Sequence, residues 1–234
     1  MSKEIVFTNV SGIEFLHPPE PASKSIPDWY KEIESYVGGK KKPTGNAGTS
    51  ATIKRCMPVF DSITSGYIIK SPSDVYVTQK EEDGSVDPWW EWASNDLITF
   101  HTIEQAPTHP SNTGHRALPK WTNPWSIKTP KGYSCLFIQP MHRDSPFTIM
   151  PGIVDTDTYQ APVNFPFVLN DIKFEGIIPA GTPIAQVIPF KRDSFSMRIG
   201  NDNDYKEQDV VLKKTRSRFF DSYKNQFWNK KEYK

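Results

Sequence analysis

The stretch that decides the fold runs from residue 129 to residue 190 and reads TPKGYSCLFIQPMHRDSPFTIMPGIVDTDTYQAPVNFPFVLNDIKFEGIIPAGTPIAQVIPF. Short apolar runs alternate in it with turns rich in Pro, Gly, Asn and Asp. Proline breaks helices and Gly, Asn and Asp favour turns, whereas β-branched and aromatic residues favour strands. The segment therefore predicts short strands joined by tight turns.

The composition of the whole chain agrees with this prediction. Its 234 residues include 21 prolines, and 13% of them are aromatic, which fits short strands and rigid turns better than long helices. A β-rich chain of this length is commonly one domain. We therefore expect a single, mainly β domain over residues 1–234, with a short N-terminal helix and a C-terminal amphipathic helix.

Charge and cysteine content exclude several classes of function. Lys and Arg total 28 against 27 Asp and Glu, so no overall field attracts nucleic acid or an acidic membrane. Cys56 and Cys135 are too few for a disulfide framework and have no partners at zinc-binding spacing. Residues 1–20 lack the unbroken apolar run of a secretion signal. We expect a cytoplasmic protein without a membrane segment or a nucleic-acid partner.

The first fifty residues predict a strand or hairpin, a helix and a loop. The helix is expected to have Pro27 in its first turn, to run through Trp29, Ile33 and Tyr36 or Val37, and to end at Gly38 and Gly39. Residues 38–50 are glycine, lysine and small polar residues with little to bury, which predicts a mobile loop.

Residues 51–200 are expected to hold the β core. Strand-like runs occupy 53–60 and 66–77 before the deciding stretch, and residues 105–126 read as a long ordered loop. Residues 208–234 place apolar side chains at helical spacing among lysines and arginines, which predicts a basic amphipathic helix. Docking on the domain or on a neighbouring subunit is one interpretation of that helix, and nucleic-acid or membrane binding is the other.

Several motifs of the deciding stretch resemble those of dUTPases and dCTP deaminases. PKGY at 130–133 is similar to the family's P-x-G-Y strand, GIVDTDTY at 152–159 to its G-x-I-D-x-D-Y hairpin with one residue more, and GTPIAQ at 181–186 to its G-x-x-I-A-Q. The resemblance implies a β-clip, which is a distorted barrel of short strands, and a homotrimer with sites built between subunits. The whole chain also looks like a family of bacterial and phage proteins, a resemblance that implies no activity.

The resemblance assigns roles near the hairpin. It implies that Asp155 positions the attacking water and the sugar, and that Tyr159 packs on a deoxyribose. Asp155 and Asp157 are our candidate catalytic residues, because carboxylates orient water or bind a hard cation such as Mg²⁺. A turn aspartate that caps its own backbone is the alternative interpretation.

The turn at 140–145 is the expected phosphate site. Small residues there let backbone N–H groups approach phosphate oxygens in the family, so Arg143 and Ser145 are candidate ligand-binding residues. The resemblance places Gln186 near the nucleotide. The expected ligand is a deoxynucleotide or a related phosphate compound.

Three features differ from the family's pattern and keep a non-enzymatic function open. Asp144 puts a negative charge in the phosphate turn, Ile68 replaces an aspartate of the first motif, and no glycine follows Gly200 where the family has a glycine-rich motif. The alternative is an oligomeric structural or interaction protein on the same scaffold.

Histidines and tryptophans offer two weaker hypotheses. The histidines at 101, 109, 115 and 142 have no dense ligand spacing, so no metal site is assigned to them. The tryptophans at 89, 90, 92, 121 and 125 could stack on a base or a sugar, and packing in the core or at a subunit interface is the alternative.

Overall fold

The computed structural model of the chain describes residues 3–12, 17–44, 48–82, 84–93, 97–106, 108–110, 117–217 and 220–234. Strands make up 35% of the chain and helices 21%, which confirms a mainly β protein. The strands are β1 (Val6–Asn9), β2 (Glu20–Pro21), β3 (Pro43–Thr44), β4 (Gly48–Thr49), β5 (Tyr67–Lys70), β6 (Val75–Glu82), β7 (Ser85–Trp92), β8 (Ile98–Thr102), β9 (Ala117–Trp121), β10 (Trp125–Lys128), β11 (Tyr133–Ile138), β12 (Phe147–Ile149), β13 (Gly152–Val154), β14 (Phe165–Leu169), β15 (Gly176–Ile178) and β16 (Pro183–Lys191).

The helices are few and mostly short. They are α1 (Asp28–Glu32), α2 (Met57–Thr64), α3 (Asp202–Arg216) and α4 (Ser222–Gln226), with 3-10 turns at Ala22–Lys24, Val37–Gly39, Ile53–Arg55 and Ile103–Gln105. Among the described residues, no helix is long and apolar enough to span a bilayer.

The chain forms two compact units. Residues 1–22 and 66–192 make the first unit, and residues 23–65 and 193–234 make the second. The first unit contains every strand named above except β3 and β4. The expected single domain, with a β core at 51–200, stays a prediction.

The first unit is built from antiparallel sheets. Their strand orders are β13-β11-β16-β5-β2, β12-β14-β9-β8, β15-β6-β7 and β1-β10, and none of these sheets closes into a barrel. β11 positions the candidate site because it pairs with β13 on one side and with β16 on the other. Along β16, Tyr133 lies opposite Lys191 and Ile138 lies opposite Gln186.

An aromatic cluster forms the centre of this unit's core. The ring of Phe167 lies 5.1 Å from Trp121 and 5.4 Å from both Trp90 and Phe147, at separations where aromatic pairs attract. Four of the five tryptophans considered as stacking platforms are therefore buried in the core or packed against it, and Trp89 is the one that is 46% exposed.

The prediction of a strand at 53–60 is wrong. A 3-10 turn covers Ile53–Arg55 and helix α2 begins at Met57. Pro58 suits the first turn of a helix, where its missing N–H is not needed. Met57 and Ile63 are the buried residues of α2.

The predicted long loop at 105–126 is also wrong in its second half. β9 covers Ala117–Trp121 and β10 begins at Trp125. Pro119 lies opposite Phe100 of β8. The residues of β9 that pair with β14 are Lys120 and Trp121, so the pairing with β14 does not need an N–H group at Pro119. Residue 107 and residues 111–116 lie outside the described residues.

The N-terminal helix and loop differ from prediction in their bounds. α1 ends at Glu32, with Pro27 as its N-cap. In the expected loop at 38–50, Pro43–Thr44 pairs with Gly48–Thr49 as a short hairpin, and residues 45–47 are not described.

The C-terminal helix begins six residues earlier than the predicted segment at 208–234 and is interrupted. Asn201 caps α3 by accepting hydrogen bonds from the N–H groups of Asn203 and Asp204, and the Asp204 carboxylate accepts one from the Asn201 N–H in return. This capping box fixes the start of α3, and apolar spacing alone does not reveal it.

Candidate functional site

The turn after β13 holds the predicted acidic residues. The Asp155 carbonyl accepts hydrogen bonds from the N–H groups of Thr158 (3.0 Å) and Tyr159 (2.8 Å), which closes the turn. The side chains of this turn lie beside the start of β11 and the end of β16. We call the following residues the acidic turn cluster: Ser134, Asp155, Asp157, Tyr159 and Arg192.

Asp157 is held by three donors. The Arg192 guanidinium donates to its two oxygens at 2.8 and 2.5 Å, and the N–H of Gly132 donates at 2.8 Å. The Asp157 side chain is 4% exposed. These donors stabilise the ionised form, and the hydrogen bond from Arg192 above all lowers the pKa of Asp157 to about 2.

Asp155 is more open to solvent than Asp157. Its carboxylate accepts a 2.6 Å hydrogen bond from the Ser134 hydroxyl and lies 3.1 Å from Arg192, while its side chain remains 59% exposed. Tyr159, four residues on, is 52% exposed. Asp155 and Tyr159 therefore form the accessible part of the acidic turn cluster.

Buried hydroxyl groups hold the turn in place on its core side. The hydroxyls of Thr129 and Thr156 are 2.8 Å apart, and the Thr156 hydroxyl lies 3.3 Å from the Cys135 sulfur. Burial raises the pKa of the Cys135 thiol to about 11, an effect that the hydrogen bond from Thr156 partly opposes. The backbone under Asp155 is thus anchored in the core.

A second group of predicted residues lies at the other end of β11. We call Glu20, Lys70, Arg143, Ser145 and Gln186 the Arg143 cluster. Gln186 is fully buried. Its side-chain oxygen accepts a 2.9 Å hydrogen bond from the N–H of Met141, the second residue of the turn at 140–145. The Ser145 hydroxyl accepts from the Phe147 N–H at 3.3 Å. Gln186 and Ser145 therefore help to shape the turn that carries Arg143.

Glu20 brings a negative charge to this cluster. It forms a 2.6 Å ion pair with Lys70. Burial lowers the pKa of Arg143, and the nearby Glu20 carboxylate opposes that effect. Strand register places Glu20, Ile68 and Gln186 in one row across the sheet, and Ile68 is fully buried. The position where the family has an aspartate is thus a core position in this chain.

The two clusters are separated along the strand. Ser134, which binds Asp155, and Ile138, which lies opposite Gln186, are four residues apart on β11, or about 14 Å at the rise of an antiparallel strand. Within one chain, the structure brings Asp155, Asp157 and Tyr159 together at one end of β11 and brings Arg143, Ser145 and Gln186 together at the other.

The acidic pair does not fit Mg²⁺. A magnesium ion needs carboxylate oxygens that face it freely, whereas the Arg192 guanidinium contacts both Asp155 and Asp157. In the part of the chain that the structure describes, no three His, Cys, Asp or Glu side chains come together as a group that could hold a metal ion. His115 lies outside that part.

Sequence reasoning missed Ser134, Arg192 and Glu20. Arg192 follows the last core strand directly, and residues 186–191 of that strand pair antiparallel with all six residues of β11. A cation at this strand end and a turn of aspartates after β13 meet only once the register is known. The order of the strands indicates which strands pair, but the sequence alone does not say which residues lie opposite each other.

Comparisons with known proteins returned no relative: no model of a protein family matches the chain, and no curated protein matches it either.

Proposed function

We propose that the protein is a non-enzymatic, self-associating interaction protein built on a dUTPase-like β-clip scaffold. The observations that argue against hydrolysis are the closed contact between Arg192 and Asp157 and the engagement of Asp155 by Ser134 and Arg192, and self-association is what the family resemblance implies. In this account the resemblance to dUTPases extends to the fold and not to hydrolysis.

The order of the elements supports the scaffold. A strand (β11), a polar turn, a hairpin strand (β13), a strand ending before Asn170 (β14) and a long last strand (β16) follow each other as the motifs of the family do. β11 and β16 pair over six residues, which makes them a rigid frame for the turns at either end.

The hydrogen bonds of Asp157 argue against general-base catalysis. A general base must reach the proton it removes with a free oxygen lone pair. Both Asp157 oxygens accept bonds from Arg192, one also accepts from Gly132, and the side chain is almost completely buried. Asp157 therefore acts as a clamp between the turn, the start of β11 and the end of β16.

The Arg143 cluster is poorly arranged for a triphosphate. Burial lowers the pKa of Arg143 and the charge of Glu20 opposes that effect, and Asp144 is an exposed carboxylate in the same turn as Arg143. Two negative charges beside one half-buried arginine weaken its attraction for phosphate. Gln186 uses its side-chain oxygen to hold the turn.

Phosphate release tests the proposal. The protein is incubated with each deoxynucleoside triphosphate and Mg²⁺, beside Asp155→Ala and the control Asp171→Ala, which changes an exposed turn carboxylate that accepts from the Lys173 N–H. We expect the same background release from all three proteins. Release that is lost in Asp155→Ala and kept in Asp171→Ala overturns the proposal.

A second candidate function is binding of a deoxynucleotide without hydrolysis. The exposed carboxylate of Asp155 and the exposed ring of Tyr159 favour it, because together they suit a sugar hydroxyl and the flat face of a sugar or base. The family resemblance suggests that the Arg143 cluster of a neighbouring copy completes such a site.

Thermal stability separates the two candidates. A ligand present at 100 times its dissociation constant adds about 2.7 kcal/mol to the free energy of unfolding. Binding predicts a rise in Tm with one deoxynucleotide that disappears in Tyr159→Ser, whereas the interaction protein predicts no rise with any member of the panel.

A further inference from the structure

The segment between β16 and α3 is the most exposed apolar part of the described chain. We call residues 193–200, DSFSMRIG, the arm. It contains no helix, strand, turn or bend. Phe195, Met197 and Ile199 are 91%, 93% and 91% exposed. Soluble proteins rarely leave several large apolar side chains in one segment so open unless the segment meets a partner.

The pattern of the arm is that of a strand with one apolar face. Phe195, Met197 and Ile199 alternate with Ser196 and Arg198, and successive side chains of an extended chain point to opposite sides. Among the described residues, the backbone groups of residues 194–199 form no hydrogen bond with other backbone groups. Residues 194–199 thus offer main-chain groups without backbone partners and an apolar face, which are the two features that strand addition to a sheet edge uses.

The arm is fixed to the helix that follows it. Arg198 donates to both oxygens of Asp204 at 2.7 and 2.5 Å, and Asn201 caps the same helix. Holding the arm in one direction before binding reduces the entropy that association costs. α3 has no buried residue, and Tyr205 on it is 65% exposed.

We propose that the arm binds a second copy of this chain in a reciprocal exchange, in which every copy gives one arm and receives one. The inference rests on the self-association proposed above and names its interface. The surface area that binding would bury favours a second copy of the chain over an unrelated protein as the partner of the arm. Three large apolar side chains bury on the order of 450 Å² per arm. Exchange brings this to about 900 Å² per copy, and a stable interface needs about 800 Å² per partner.

A single arm on an unrelated partner buries only about half of that requirement. The first unit also offers receiving edges. Among the described strands, β7 and β8 each pair on one side only, and they expose Trp89 and Phe100, each 46% accessible. An arm that adds to either edge satisfies its backbone groups and covers apolar side chains of both copies.

The molar mass in solution tests the exchange. Light scattering behind size exclusion is measured for the full-length chain, for the variant Phe195→Ser/Met197→Ser/Ile199→Ser, and for the control Ser194→Ala/Ser196→Ala on the polar face. We expect the wild type and the control to have the molar mass of an oligomer, which is a whole-number multiple of 26.7 kDa above the monomer. The apolar-face variant is expected at 26.7 kDa with an unchanged far-UV circular dichroism spectrum and a dissociation constant weakened at least about a hundredfold.

Two outcomes contradict the inference in different ways. A wild-type oligomer that the apolar-face variant leaves intact overturns the arm exchange and leaves the proposed self-association standing. A wild type that stays at 26.7 kDa at every concentration contradicts both.

Discussion

Replacing Gly66 with alanine should destabilise the first unit strongly. Gly66 has φ +74°, and a Cβ built on it would lie 2.9 Å from the carbonyl carbon of Val187 and closer still to the oxygen. An alanine in the left-handed region costs about 1–2 kcal/mol. Backbone displacement to relieve the overlap adds about 1–3 kcal/mol. The displaced strand is β16, which pairs with β5 through Val187 and Tyr67.

Gly84 supplies a matched control. It has φ +75°, and no atom lies within 4 Å of a Cβ built on it. Gly84→Ala therefore carries the conformational penalty without the overlap, and we expect a loss of about 1–2 kcal/mol. Gly66→Ala should lose about 2–5 kcal/mol, or about 4–20 °C in Tm for a chain of this size.

Urea unfolding followed by tryptophan fluorescence measures both losses, because Trp90 and Trp121 are buried in the first unit. The difference between the losses of the two variants in free energy of unfolding measures the cost of the overlap between a Cβ at Gly66 and the backbone of Val187. Equal losses in Gly66→Ala and Gly84→Ala would refute the close approach of β5 and β16 at this point.

Three further predictions concern the site and its support. The pKa of Asp157 is about 2, which is below the usual value near 4 of an aspartate in an unfolded chain. The ionised side chain therefore stabilises the fold above pH 4, and this contribution is lost as the pH falls towards 2. Acid unfolding of Asp157→Asn should lack that part of the pH dependence. Thiol titration should find Cys56, which is exposed, reactive in the native protein and Cys135, which is buried with its pKa raised to about 11, reactive only after unfolding; equal rates would contradict this burial. Gln186→Leu should lose about 1–3 kcal/mol in urea unfolding, because the part-buried N–H of Met141 loses its acceptor. An unchanged midpoint would contradict the role given to Gln186.

Much of the strand pattern could be predicted because it depends on neighbouring residues. The apolar run of β11 and the Pro-Ala-Gly-Thr turn before β16 are local signals, and the structure has strands at both places. The run at 53–60 misled because Pro58 suits the first turn of a helix as well as the edge of a strand. The start of α3 was missed because its signal is a pair of polar caps, Asn201 and Asp204, and not an apolar period.

The candidate site was less predictable because its geometry depends on pairings between distant residues. Asp155 and Asp157 lie in one turn because they are two residues apart in the sequence, but Arg192 reaches them only because β16 runs antiparallel to β11. The same pairing places Gln186 at the opposite end of β11 from Asp155. Motif resemblance within a single chain carries no information on that separation, since the family's sites join residues of different subunits.

A double-mutant cycle on Asp157 and Arg192 measures whether the two side chains stabilise the fold as a pair. The free energy of unfolding is determined at pH 7 for the wild type, Asp157→Ala, Arg192→Ala and the double variant. The account predicts that each single variant is destabilised and that the double variant is hardly less stable than either one. Losses that simply add, or single variants as stable as the wild type, would contradict a structural clamp and return the acidic turn to the role of a binding or catalytic site.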